Sequence, residues 1–123
     1  MSNKILKDFQ KTIERLEEVL ALKRTKVNRD SAIKRFELCF GLCWKSIKIW
    51  AKEQGIECNS PRSCFKIAFQ LKLIDYDKKY LKMIDDRNLT THLYKEKYTD
   101  QVYGRLGDYL GLFKKLVIKL KEK

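Results

Sequence analysis

The apolar residues of this chain recur at steps of three and four from near its start to its end, and no convincing stretch alternates as a strand would. Ile5, Phe9, Ile13, Leu16 and Leu20 mark one face of a long first helix. The polar stretch "KRTKVNRDS" then turns the chain, with Asn28, Asp30 or Ser31 as N-cap. A second helix is predicted from about Ala32 to Gln54, with Gly55 placed to end it. Phe36, Phe40, Cys43, Ile47 and Trp50 form its main seam, and Leu38, Leu42 and Ile49 form a second apolar line. That line implies either burial in the chain's own core or cover by a neighbouring subunit.

"NSPRS" opens a third helix, Ser60 capping and Pro61 taking the first helical position, and it runs to about Leu71. A fourth lies in "LIDYDKKYLKMIDDRN", with Asp75 or Asp77 near its start. The last is predicted from about Thr99 to Lys121, with a seam of Tyr103, Leu106, Leu110, Phe113, Val117 and Leu120. Gly104, Gly107 and Gly111 fall on it, each costing up to about 1 kcal/mol against alanine, which suggests close approach of another backbone. The reading is all-α: an antiparallel up-and-down bundle of four to five helices, one domain over residues 1–123.

Composition narrows the class. No apolar run approaches the roughly 20 residues of a membrane span. "MSNKILKDFQ" has no hydrophobic signal segment, so a cytoplasmic protein off the membrane is expected. Lys and Arg number 28 against 16 Asp and Glu, a formal charge of +12. That balance fits an anionic partner, and it also fits a solvated lysine-rich surface. Cys39, Cys43, Cys58 and Cys64 are not spaced as paired CxxC motifs, so no zinc site is expected. Cys39 and Cys43 lie in "RFELCFGLCW" and read as small buried side chains, and in a reducing cytoplasm no disulfide is expected.

"RNLTTHLY", Arg87 to Tyr94, holds the chain's one histidine. Arg87 is a permanent cation whose fork matches two phosphate oxygens. His92 can exchange a proton near neutral pH. Tyr94 carries a phenol able to donate a hydrogen bond or act as a nucleophile. An Arg–His pair suits RNA cleavage by the RNA's own 2′-hydroxyl, the imidazole moving the proton and the guanidinium stabilising charge on the phosphate. The plainer alternative is a capping cluster at a helix end, with His92 near the C-terminal dipole. No carboxylate–histidine cluster is in view to hold a catalytic metal, so neither metal nor cofactor is expected.

Three separated stretches resemble the HEPN superfamily, in particular its small nucleotidyltransferase substrate-binding proteins. In "RDSAIKRFELCFGLCWKSIKIW", Arg35, Phe36, Glu37, Trp44 and Lys45 match the second-helix signature. "SPRSCFKIAFQLKLI" is similar to the third helix at Ser60, Pro61 and Arg62. "DDRNLTTHLY" matches the arginine–four residues–histidine–one residue–tyrosine motif. The resemblance implies a helical-bundle homodimer whose two motifs line a cleft near the interface. It implies a metal-independent endoribonuclease toxin beside a minimal nucleotidyltransferase encoded nearby, which silences it by AMP transfer to the tyrosine. Arg87 and His92 would then be catalytic and Tyr94 the modified residue, with Asn88, Asp86 and Glu37 supporting. RNA and the nucleotidyltransferase are the expected partners, and DNA is not. The older family name suggests instead a non-catalytic subunit that presents nucleotide or substrate to the nucleotidyltransferase, and a plain dimeric scaffold is the third possibility. The family's acidic residue after the tyrosine is replaced here by Lys95, with Glu96 following, and the three glycines are also unexpected.

Overall fold

The computed structural model describes residues 3–92 and 95–122. It holds α1 (Asn3–Leu20), α2 (Lys26–Glu53), α3 (Pro61–Gln70), α4 (Lys79–Leu89), a 3₁₀ turn (Thr90–His92) and α5 (Glu96–Glu122), with no strand among the described residues. The long helices α1, α2 and α5 pack on one another, α3 packs on α2 and α4, and α4 packs on α5. Residues 21–25 are too few to do anything but reverse the chain between α1 and α2. α5 then runs back along α1: Phe113 meets Phe9, and Lys114 pairs with Glu17, while Asp100 meets Arg24 just past the other end of α1.

The predicted seams supply the core. Phe9, Phe36 and Phe113 are fully buried and Tyr109 almost so. Phe36 stacks on Tyr109 at 5.5 Å between centroids, and Phe113 meets Phe9 edge-on at 6.0 Å. Phe40, Phe65 and Tyr80 carry the aromatic contact outward through α3 to α4. Ser60 caps α3 as expected, in a reciprocal capping box with Ser63, and Pro61 is its first residue. Gly55, at φ +83°, ends α2.

Three expectations are corrected, at the start of α2, along α5 and at the cysteines. α2 starts at Lys26, capped by Thr25, whose hydroxyl accepts the Asn28 amide at 3.0 Å. Asn28, Asp30 and Ser31 therefore lie inside the helix, which an ion-pair network at Arg29 holds where apolar periodicity is absent. α5 likewise begins at Glu96, and its buried face is carried by Val102, Leu106, Tyr109, Phe113 and Leu116, leaving Tyr103 and Leu110 half-buried. The close backbone approach expected at Gly104, Gly107 and Gly111 is not made within the chain, since a Cβ at any of them meets nothing within 4 Å. On α2, Leu38 is 51% exposed and Leu42 and Ile49 are half-buried, so the second apolar line is not absorbed by the chain's own core.

The third correction concerns cysteine. Cys39 and Cys43 are buried free thiols, as expected, and burial pushes Cys39 up to about 11 and Cys43 well above its usual value. Cys58 and Cys64, however, form a disulfide. The turn that seats Ser60 and Pro61 folds the chain back, bringing the two Cα atoms to 5.2 Å, a separation a disulfide spans readily. Closing so short a loop contributes roughly 2 kcal/mol. Chain purified without reductant is expected to resist alkylation of these two cysteines, and Cys64→Ser should lower the melting temperature. Full alkylation of folded, unreduced protein would show that the bond does not form.

Candidate functional site

The motif sits where α4 ends against α5. Threonine hydroxyls finish the helix: Thr90 donates to the Arg87 carbonyl at 2.6 Å and Thr91 to the Asn88 carbonyl at 2.9 Å. The chain tightens into the 3₁₀ turn, and the Lys95 amide donates to the His92 carbonyl at 3.0 Å.

Arg87 is anchored without being covered. Its Nη1 donates to the Thr90 hydroxyl at 3.1 Å, and its Nη2 stands 3.9 Å from Glu37 of α2. The second distance is an ion pair beyond hydrogen-bond reach. The guanidinium side chain is 37% exposed, so part of the fork faces solvent. His92 is exposed at the end of the 3₁₀ turn. Asn88 is exposed too, and its side chain makes no hydrogen bond to Arg87 among the described residues. Tyr94, the expected modification site, lies outside the described residues.

Asp86 faces the other way. It is fully buried, and its two oxygens accept a bidentate pair from Arg105 at 2.7 and 2.8 Å. The Tyr109 hydroxyl donates to it as well, at 2.5 Å. Hydrogen bonding to Asp86 raises the Arg105 pKa, and burial followed by that same carboxylate pushes the Tyr109 phenol well above its usual range. Both therefore stay donors at any ordinary pH. Asp86 thus fixes the last turn of α4 on α5, next to Arg87 in the chain. The sequence reading named Asp86 but missed both partners. Tyr109 was passed over because Leu110 also fits a three-and-four seam, although Tyr109 is the residue seven positions after Val102.

A second clamp holds the far end of the motif loop. Arg29, buried on α2, donates to Glu96 at 2.6 Å and to Asp100 at 3.0 Å on the first turn of α5, and to Asp30 beside it. These bonds lower the pKa of Glu96 and of Asp100. Glu96 also suits the positive end of the α5 dipole. The acid that Lys95 displaces in the motif is thereby supplied one position later. On either side of the motif, the buried Thr90 is tied to α4 and Glu96 to α2.

Among the described residues no group of three or more His, Cys, Asp or Glu side chains comes together as a metal centre, and no helix is long and apolar enough to cross a membrane. What the site does offer is an anchored, partly exposed guanidinium at the end of α4 and an exposed imidazole on the 3₁₀ turn that follows.

The sequence profile of a family described as nucleotidyltransferase substrate binding protein like matches residues 4–122. A Thermus thermophilus protein of known crystal structure is 33% identical, with a TM-score of 0.86 over 91% of this chain and 98% of that one. Haemophilus influenzae HI0074 is 21% identical, with a TM-score of 0.84 over 94% of this chain and 98% of its own. Its structure is described as revealing the fold of a substrate binding domain of a nucleotidyltransferase. No curated protein matches the chain significantly.

Proposed function

Because the chain belongs to the nucleotidyltransferase substrate-binding-protein-like family, we propose that it is the RNA-cleaving partner of a minimal nucleotidyltransferase: a metal-independent endoribonuclease toxin of the HEPN type, acting as a homodimer. The observation that carries this is Arg87, held by Thr90 and Glu37 yet open to solvent, with exposed His92 on the turn that follows. In the proposed step His92 takes the proton from a 2′-hydroxyl or gives one to the departing 5′-oxygen, and water exchanges the other proton. The 2′-oxygen displaces the 5′-oxygen at phosphorus, leaving a 2′,3′-cyclic phosphate and a 5′-hydroxyl. Arg87 stabilises the charge gathered on the phosphoryl oxygens. AMP transferred from ATP to Tyr94, with pyrophosphate leaving, would add a bulky anion to the motif that can compete with substrate phosphate for the Arg87 fork. Leu38, open on α2, and the unoccupied face of Gly104 and Gly107 are the surfaces that a second copy would cover.

The family description favours one second reading, a non-catalytic subunit that presents nucleotide or substrate to the nucleotidyltransferase. Expression of the chain alone should arrest growth, and coexpression of the nucleotidyltransferase should relieve it. Purified chain should scatter light at twice 14.7 kDa and cut RNA in the presence of a chelator. Intact mass after coexpression should show AMP-sized increments that vanish in Tyr94→Phe. A chain that neither arrests growth nor cuts RNA, yet raises the nucleotidyltransferase's activity, would establish the second reading instead.

A further inference from the structure

α3 and α4 do not close on each other at the loop that joins them. A groove of about 420 Å³ opens there, within the roughly 300–1,000 Å³ of small-ligand sites. Its floor is the buried pair Phe65 and Tyr80, with ring centroids 5.0 Å apart. Its wall is a second aromatic pair, Phe69 and Tyr76, set edge-to-face at 5.4 Å. The wall is open to solvent: Phe69 is 44% and Tyr76 66% exposed. Arg62, Lys66 and Lys78 line the same groove, against the carboxylates of Asp75 and Asp77. Asp77 is already engaged, accepting the Lys79 amide at 2.9 Å to start α4.

The groove and the motif share α4. Tyr80, Ile84 and Arg87 are spaced four and three, so they fall on one stripe of α4. Ile84 between them is half-buried. The seven residues from Tyr80 to Arg87 advance about 10 Å along the axis. A single strand with a phosphate on Arg87 would reach the groove by running about 10 Å back along α4. Exposed aromatic faces beside scattered cations are the combination that holds single-stranded nucleic acid, by base stacking and backbone pairing. A purely apolar partner would have no use for Arg62 and Lys66 at that position.

We infer that the α3–α4 groove is a base-binding subsite for single-stranded RNA, with Tyr76 and Phe69 stacking a nucleobase and Arg62 and Lys66 meeting the adjoining phosphates. This rests on the reading of the chain as an RNA-cleaving protein, and it names the part of the substrate held away from the reacting bond.

The test uses the full chain and a fluorescein-labelled oligouridylate whose 2′-hydroxyls are methylated, so that binding is read without cleavage. Tyr76→Ala should weaken binding roughly five- to hundredfold, while Tyr76→Phe keeps most of it. On cleavable RNA, Tyr76→Ala should raise KM with kcat retained. Photocrosslinking of 4-thiouridine RNA to the unaltered chain should label the α3–α4 loop, a readout that no folding defect can imitate. Unchanged affinity and KM in Tyr76→Ala, with crosslinks elsewhere, would overturn the subsite while leaving the nuclease reading intact. Protection of Tyr76 by the nucleotidyltransferase but not by RNA would overturn it in favour of a protein-docking groove. A chain that neither binds nor cuts RNA would remove both.

Discussion

His92→Ala should slow RNA cleavage by about a hundredfold to ten-thousandfold, the usual cost of losing one general acid–base group. The core should stay intact, because His92 is exposed, beyond the last turn of α4 and outside the buried cluster. Arg87→Ala should cost a comparable factor, because the cation acts on charge that develops at phosphorus. The two differ in detail. Arg87→Lys keeps a charge but loses the planar fork, so it should recover only part of the rate, and mostly through KM. Equal cleavage by the parent and both alanine variants, with equal melting temperatures, would reduce the motif to a helix cap.

Asp86→Ala should be the most damaging single change to stability. Removing one partner of a buried ion pair typically costs about 3–5 kcal/mol. Here the loss has two unequal parts. Arg105 is 31% exposed, so its guanidinium can turn to water and recover some solvation. Tyr109 is 1% exposed and cannot, so its hydroxyl is left without an acceptor at about 1–3 kcal/mol. A fall in melting temperature on the order of 10 °C is expected for a chain of this size. Asp86→Asn keeps the volume and an acceptor for Tyr109, so it should lose much less. Tyr109→Phe combined with Asp86→Ala should cost less than the sum of the two, since the second change removes the orphan that the first creates. A melt of Asp86→Ala within a degree of the parent would mean that the network contributes nothing to holding α4 on α5.

Local patterning was sufficient for the elements. Steps of three and four among Phe9, Ile13, Phe36, Cys43, Ile47 and Phe113 determine which faces are buried, because helical geometry turns spacing directly into a face. Ser60 with Pro61, and Gly55 after Glu53, mark boundaries through backbone chemistry that needs no distant partner. The motif's own residues were legible for the same reason, as Arg87 and His92 are close in sequence.

The tertiary structure decided what depended on charge meeting charge across the chain. The start of α2 at Lys26 rests on Arg29 reaching Glu96 and Asp100, some 70 positions away, and periodicity carries no trace of it. Asp86 looked like a polar neighbour of Arg87 until Arg105 and Tyr109 enclosed it. The Cys58–Cys64 bond follows from how the α3 cap folds the chain back, whereas composition argued only from compartment. The α3–α4 groove arises because the two short helices and the loop between them leave the Phe69–Tyr76 pair open to solvent. Spacing along a helix determines which side a residue faces; only packing determines what stands opposite it.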